Sequence, residues 1–432
     1  MWAMGGSVRA ALRLDLLIYA GCAVAAGVTA VASEFYGYRV WGNFATGGYL
    51  AAAALTLLLP TRRKLPVVVA AIGAILLPLL FLVFKRAPSF TWGPWPWSFP
   101  AQPEVWVVER AARNLFAHGT PYTDLATLGR AAHPDDYTPY GPAMSLFGMP
   151  RALFGDHPLT DARVMFLLGS AAALWGAWRV LHRPPIPVRA MHLVANPLTA
   201  LTLCVAGDDV AVIALIVLAG ALAYRVRPVW SGAVCAVMVA MKLTALPATA
   251  VIGIGVLAVC GGRALARFLG TLAGVGVLIT VPVLAADPAS FVEHVVKFPI
   301  GLGQASSPAS SPLPGHLIAG LGPIGHTVAL VLLGLAAVLI TGWLVARPPL
   351  SMADAMTRVA VGLGAAIVLA PATRWGYLVY PVVLLGAALA FARPADPGLE
   401  STGDTADTGP DVEAGLSTGP GVGTTPQPSS LG

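Results

Sequence analysis

Apolar runs of about fifteen to twenty residues recur along almost the whole chain, and that pattern fixes the fold class. Inside hydrocarbon every backbone N–H and C=O must find a partner within the protein, which leaves only α-helices and closed barrels as spanning structures. A barrel strand would show about ten residues of alternating character. These runs are continuous instead, so the chain is expected to be an all-α polytopic membrane protein. Composition agrees: 11% of residues are charged, against roughly 25% in ordinary soluble domains. Hydropathy divides the runs into about twelve transmembrane helices.

Basic residues orient the spans. The cluster Arg62-Arg63-Lys64 between the second and third runs reads as cytoplasmic, as do the later basic turns at Arg179–Arg189 and Arg225–Arg227. The first run, preceded by two arginines and no cleavage signal, is expected to be a retained span. This gives N-terminal spans over 1–83, an outer-face loop over 84–160, and a transmembrane core over 161–393 containing a second outer loop at 286–321. Residues 394–432 form a tail of Gly, Pro, Ser, Thr and Asp with six acids and no Lys or Arg, expected to be disordered. Both termini are expected in the cytoplasm of a multi-pass cell-membrane protein. The basic excess follows loop positions, so no nucleic-acid partner is expected.

Short turns suffice to join spans, so a polar segment of about seventy residues between two of them is where chemistry is expected. It contains PEVWVVERAARN (Pro103 to Asn114), which reads as an amphipathic helix ending near Ala117 and lying at the membrane surface. Glu104 follows the proline at the helix start, where the N-terminal partial charge favours a carboxylate; simple helix capping explains it equally well. Glu109 lies one turn and a half further on. Trp92, Trp95, Trp97 and Trp106 fit interfacial anchoring, with sugar stacking as the sharper alternative. Tyr137 and Tyr140 follow in DDYTPYGPAM.

Three further sites carry charge where charge is expensive. Asp208 and Asp209 are adjacent acids at the outer end of a short span broken by Asn196-Pro197. Lys242 lies within AVMVAMKLTALPA, a run expected to form two short crossings broken near Lys242 and Pro247. It needs a counter-charge, either a phosphate or a structural pairing with Asp209. Arg374, at the mouth of the last two spans, is a second cation for a phosphate or a snorkelling side chain. Tyr377 and Tyr380 read as packing or belt residues.

Several motifs are missing. No Walker A loop, GxSxG or HExxH occurs, and the eight histidines and four cysteines show no ligand spacing. The cysteines read as buried small hydrophobes, no metal-ligand set emerges, and no cofactor is expected.

EVWVVERAARNLFAHGTPY, DDYTPYGPAMSLFGMPRALFG, GDDVAVIALIVLAGALA and SGAVCAVMVAMKLTALP, in that order, resemble family 87 glycosyltransferases of the GT-C superfamily, which include actinobacterial polyprenyl-phosphomannose-dependent mannosyltransferases. The resemblance implies a GT-C-like enzyme with outer-face juxtamembrane helices. Such an enzyme passes a sugar, here mannose, from a polyprenyl-phosphate donor to the hydroxyl of a glycan or glycolipid acceptor, with inversion. In that family an outer-loop Asp is the catalytic base, and the matching position is Glu104. Asp209 would then orient a substrate. Lys242 and Arg374 would hold the phosphate, with Tyr137, Tyr140, Asp208 and Glu109 lining the substrate site. Membrane lipid is the remaining partner. Two other readings fit the same residues: a solute or lipid transporter gated by Asp209 and Lys242, and a non-catalytic assembly protein of the cell envelope.

Overall fold

A computed structural model describes residues 6–86, 99–306 and 308–392. Trp92, Trp95, Trp97 and the acidic tail lie outside the described residues. Among those described, the chain is helical throughout, and the one β feature is an isolated bridge between Ser310 and Thr373. Six helices are long and apolar enough to cross a membrane, or seven if the pair Val188–Val194 and Pro197–Val205, bent by 42° at Asn196, forms one span. The twelve crossings expected exceed this number. Several apolar helices are shorter than a bilayer requires, including Asp208–Tyr224 with 17 residues and Pro228–Met241 with 14.

The N-terminal spans pack as a unit. Hydropathy marks the second span at about Gly47–Leu59, but its helix, Tyr36–Leu58, begins well before that run and lies against Gly6–Ala32 and the span Lys64–Arg86. A π-turn at Ile72–Leu76 interrupts that span, which leaves carbonyls without their usual helical partners. Trp41 Nε1 donates to Ala74 O at 2.8 Å, and the Cys204 thiol reaches the Ala74 and Ile75 carbonyls at 3.5 and 3.3 Å. All four cysteines are free thiols; Cys204 and Cys235 are fully buried and Cys22 and Cys260 half-buried.

At the centre runs Asp208–Tyr224, nearly all of it buried. Ala162–Val180, Pro228–Met241, Leu246–Cys260, Met352–Leu369 and Val379–Phe391 surround it. Two acids therefore begin the most enclosed helix of the protein. The turn into it depends on Gly207 at φ +98, where a Cβ would also press on the Phe166 ring at 3.0 Å.

The expected break in the next run occurs at Lys242. Pro228–Met241 ends there, Lys242 is extended (φ −153, ψ 125), and a short turn leads into Leu246–Cys260. Pro247 falls in the first turn of that helix, where its missing N–H has no consequence. Gly141 packs its backbone directly on this break: its N–H donates to Met241 O at 2.9 Å, and a Cβ would collide with Ala240 O. That close approach brings Tyr140 beside Lys242.

The segment expected as an outer loop is compact. Among its described residues it holds helix Pro103–His118, four 3₁₀ turns and the short helix Met149–Phe154. The later loop, after Ala286, is clipped to it. Buried His294 accepts from the Thr138 N–H at Nδ1 (2.8 Å) and contacts Thr123 O through Nε2 (2.8 Å). Burial pushes its pKa down, consistent with the neutral ring that this acceptor role requires.

Candidate functional site

Three chain segments meet at the N-terminus of the central helix. Lys242 Nζ donates to Asp209 Oδ1 at 2.5 Å and to Asp208 Oδ2 at 3.0 Å. Tyr380 O–H donates to the same Asp209 oxygen at 2.8 Å, and its hydroxyl lies 3.4 Å from Thr244 Oγ1. The side chains of Asp208 and Asp209 are 4% and 8% exposed and that of Lys242 is 13% exposed. The structural pairing weighed for Lys242 is thus present, with Asp208 as well as Asp209.

A second ion pair lies nearer to solvent. Arg374 Nη1 donates to Glu104 Oε1 at 2.5 Å, with side-chain exposures of 33% and 21%. Burial works against the Arg374 charge, but Glu104 and Tyr377 outweigh it and raise its pKa. The other oxygen, Glu104 Oε2, is buried and has no hydrogen-bond partner. Pro103 starts the helix and Glu104 falls in its first turn, so its side chain sits at the helix N-terminus as well as beside Arg374. Gln102, the N-cap, donates to the Tyr38 hydroxyl and ties this helix start to the N-terminal spans.

Two tyrosines join the pairs. Lys242 Nζ lies 5.4 Å from the Tyr140 ring centroid and 5.6 Å from that of Tyr377. Tyr377 is within electrostatic reach of Glu104, Arg374, Asp209 and Lys242 together. Glu104, Asp208, Asp209, Lys242, Arg374 and Tyr140, drawn from distant stretches of sequence, therefore form one polar constellation. Three carboxyl groups and two basic side chains thus face one another within it.

The structure places Glu109, Tyr137 and Trp106 apart from this constellation. Glu109 is 1% exposed and points away from the constellation into a buried network. Arg86 binds it through two nitrogens at 2.8 and 2.5 Å, Arg151 lies at 3.3 Å, and the Ala162 N–H donates to it at 3.1 Å. Arg86 also holds Asp161 at 2.7 Å, which Arg163 grips from its other side. Burial opposes ionisation of Asp161, yet Arg163 and Arg86 hold its carboxyl well below the usual carboxylate range. With its oxygens occupied, Glu109 anchors helix Pro103–His118 to the neighbouring spans. Glu109→Gln is expected to lower stability by about 1.5–3 kcal/mol, the range for hydrogen bonds to charged groups, read as a lower unfolding midpoint.

Tyr137 is likewise outside the constellation. Its ring stacks on Phe298 at 4.0 Å, its hydroxyl donates to Glu293 at 3.1 Å and it accepts from the Gln304 N–H, so it joins the two loops. Trp106 packs over the Arg86 guanidinium at 4.7 Å and edge-on to Phe99, which assigns it to the buried network.

Tyr38, Gln102, Thr244, Tyr377 and Tyr380 were missed as site residues. The available signal was the three-residue spacing of Arg374, Tyr377 and Tyr380, three polar tips leading into one apolar helix.

No group of three or more His, Cys, Asp or Glu side chains able to hold a metal ion occurs among the described residues. Chemically, the constellation offers a carboxylate with a free oxygen beside a cation, and below it a buried ammonium shared by two acids. Comparison with curated proteins finds no match. Among solved structures the chain is similar to the crystal structure of ArnT from Cupriavidus metallidurans bound to undecaprenyl phosphate, at 16% identity and a TM-score of 0.45. That alignment covers 80% of this chain and 60% of the other, so the chain spans about three fifths of that protein's length. The family model of Glycosyltransferase family 87 matches residues 137–373, a stretch that holds Tyr140, Asp208, Asp209 and Lys242, begins after Glu104 and stops one residue short of Arg374. Over half of its length is thereby matched, and the chain belongs to Glycosyltransferase family 87.

Proposed function

We propose that the protein is an inverting membrane glycosyltransferase that moves a sugar, with mannose as the specific expectation, from a polyprenyl-phosphate donor to an acceptor hydroxyl on the outer face. The observation that carries this reading is the state of Glu104. One carboxylate oxygen is held by Arg374, and the other is buried without a partner.

A displacement at the sugar C1 needs a base for the acceptor proton and a counter-charge for the departing phosphate. As the acceptor oxygen bonds to C1, its proton passes to Glu104, and the C1–O bond breaks with its electron pair going to the phosphate. The phosphate thereby gains one negative charge while Glu104 loses one, so the total charge of the site is unchanged. Protonation of Glu104 also releases Arg374 from its carboxylate at the moment when the phosphate needs a cation. Asp208 and Asp209 keep Lys242 charged and fixed, so its ammonium can meet the phosphate without reorganisation. Tyr140 and Tyr377 wall the space between the two pairs.

Membranes containing the protein, incubated with radiolabelled polyprenyl-phosphomannose, are expected to move label from the lipid into a glycan or glycolipid fraction. Label that stays on the donor lipid in the presence of native envelope acceptors would remove the mannose-donor reading. Label appearing from another polyprenyl-phosphate sugar would retain the reaction and correct the sugar.

A further inference from the structure

The helices Ala162–Val180 and Asp208–Tyr224 both begin beside the charged residues described above and end together on the opposite side. Seventeen residues put those ends about 25 Å from the site. There a concavity of about 290 Å³ is lined by Arg179, Val180, His182, Arg225 and Arg227. Among the described residues no carboxylate lies within ion-pair distance of these three arginines, and Arg225 Nη2 instead contacts His182 Nε2 at 3.1 Å.

Cations at helix C-termini are favoured by the helix dipole, which accounts for Arg179 and Arg225 taken singly. It does not account for their convergence from two helices, nor for the backbone that achieves it. His182, Arg183 and Val226, at φ +64, +58 and +57, are the non-glycine residues with left-handed backbone among those described, and all three lie here. Such a conformation is disfavoured, most of all for a β-branched valine, and an outlier of this kind points to a local function.

An apolar groove of about 500 Å³ begins at the next residue. Leu174, Trp178, Ile186, Ala190, Val383 and Phe391 are among its walls. Trp178 precedes Arg179 in sequence, its Nε1 donates to Pro184 O at 3.0 Å, and the Arg183 guanidinium lies 5.7 Å from its ring. One segment thus shapes both the basic concavity and the rim of the groove. We propose that together they form a site for an anionic phospholipid, with the headgroup phosphate among Arg179, Arg225 and Arg227 and an acyl chain in the groove. This site is independent of the sugar-transfer reading.

The test uses the purified full-length protein in a neutral detergent, with bound lipid counted by native mass spectrometry. Phosphatidylglycerol is expected to bind, and phosphatidylcholine to bind at least about tenfold more weakly, given that each basic side chain near an anionic headgroup contributes roughly fivefold and two or more act together here. A variant combining Arg179→Gln, Arg225→Gln and Arg227→Gln is expected to lose phosphatidylglycerol by a similar factor, while the variant with Lys at the same three positions keeps it. Because these side chains are exposed, both variants should unfold at the wild-type temperature. Equal binding of the two lipids, or unchanged binding by the glutamine variant, would overturn the proposal. Inorganic phosphate displacing phosphatidylglycerol at equal concentration would also overturn it, by showing a soluble-anion pocket with no part for the groove.

Discussion

Glu104→Gln is expected to lower sugar transfer by about 10²–10⁴-fold, the contribution of a positioned general base, while leaving expression and the unfolding midpoint unchanged. The substitution keeps the shape of the side chain and an oxygen for Arg374, so the helix start and its tie to Tyr38 through Gln102 are preserved. What it removes is the ability to accept a proton at the position of Oε2. Stability should respond little, because a half-exposed ion pair of this kind contributes about 0–1 kcal/mol. Glu104→Asp provides the second arm: it retains a carboxylate but shortens its reach, so activity between those of wild type and Glu104→Gln is expected. Transfer assayed with labelled donor at saturating acceptor reads the effect directly. Undiminished turnover in Glu104→Gln would move the base to Asp208 or Asp209.

The parts of this architecture legible in the sequence are those where a charge stands out against hydrocarbon. Lys242 interrupts an apolar run and Pro247 follows it, and the helix does break between them. Asp208-Asp209 after a glycine marks the start of the central helix, and its partner is the lysine. Pro103 gave the start of the loop helix, which ends one residue beyond its expected end near Ala117.

Partnership across the fold was not legible. Glu104 and Glu109 look alike on paper, two acids on one helix, yet one meets Arg374 at a half-exposed edge and the other is sealed between Arg86 and Arg151. Which arginines come to which acid is decided by tertiary packing. Tyr380 read as a belt residue because an aromatic ring suits the interface, and only its position against Asp209 shows that the hydroxyl matters. Tyr38 was passed over for a different reason. Glycines, tyrosines and Asn43 dilute the first half of Tyr36–Leu58, so hydropathy places the span later than the helix begins.

Lys242→Met is expected to destabilise the protein by about 3–5 kcal/mol, the usual consequence of removing one partner from a buried ion pair, and to abolish transfer. The severity follows from the local arithmetic of charge. Among the described residues Lys242 is the single cation bonded to two adjacent carboxylates that are almost fully enclosed, so its loss leaves like charges side by side at the N-terminal end of the central helix. Activity alone would not separate a collapsed site from a missing phosphate ligand, and a compensated variant does. Combining Lys242→Met with Asp208→Asn and Asp209→Asn removes every charge of the triad, and neutral replacements of a buried ion cluster are often no less stable than the original. The triple variant is therefore expected to regain most of the lost unfolding midpoint. Its transfer activity should stay absent, because the ammonium that would meet the phosphate is gone. Recovery of transfer along with stability would mean that the triad serves only to hold the helices together, and the phosphate would then have to be met by Arg374 alone.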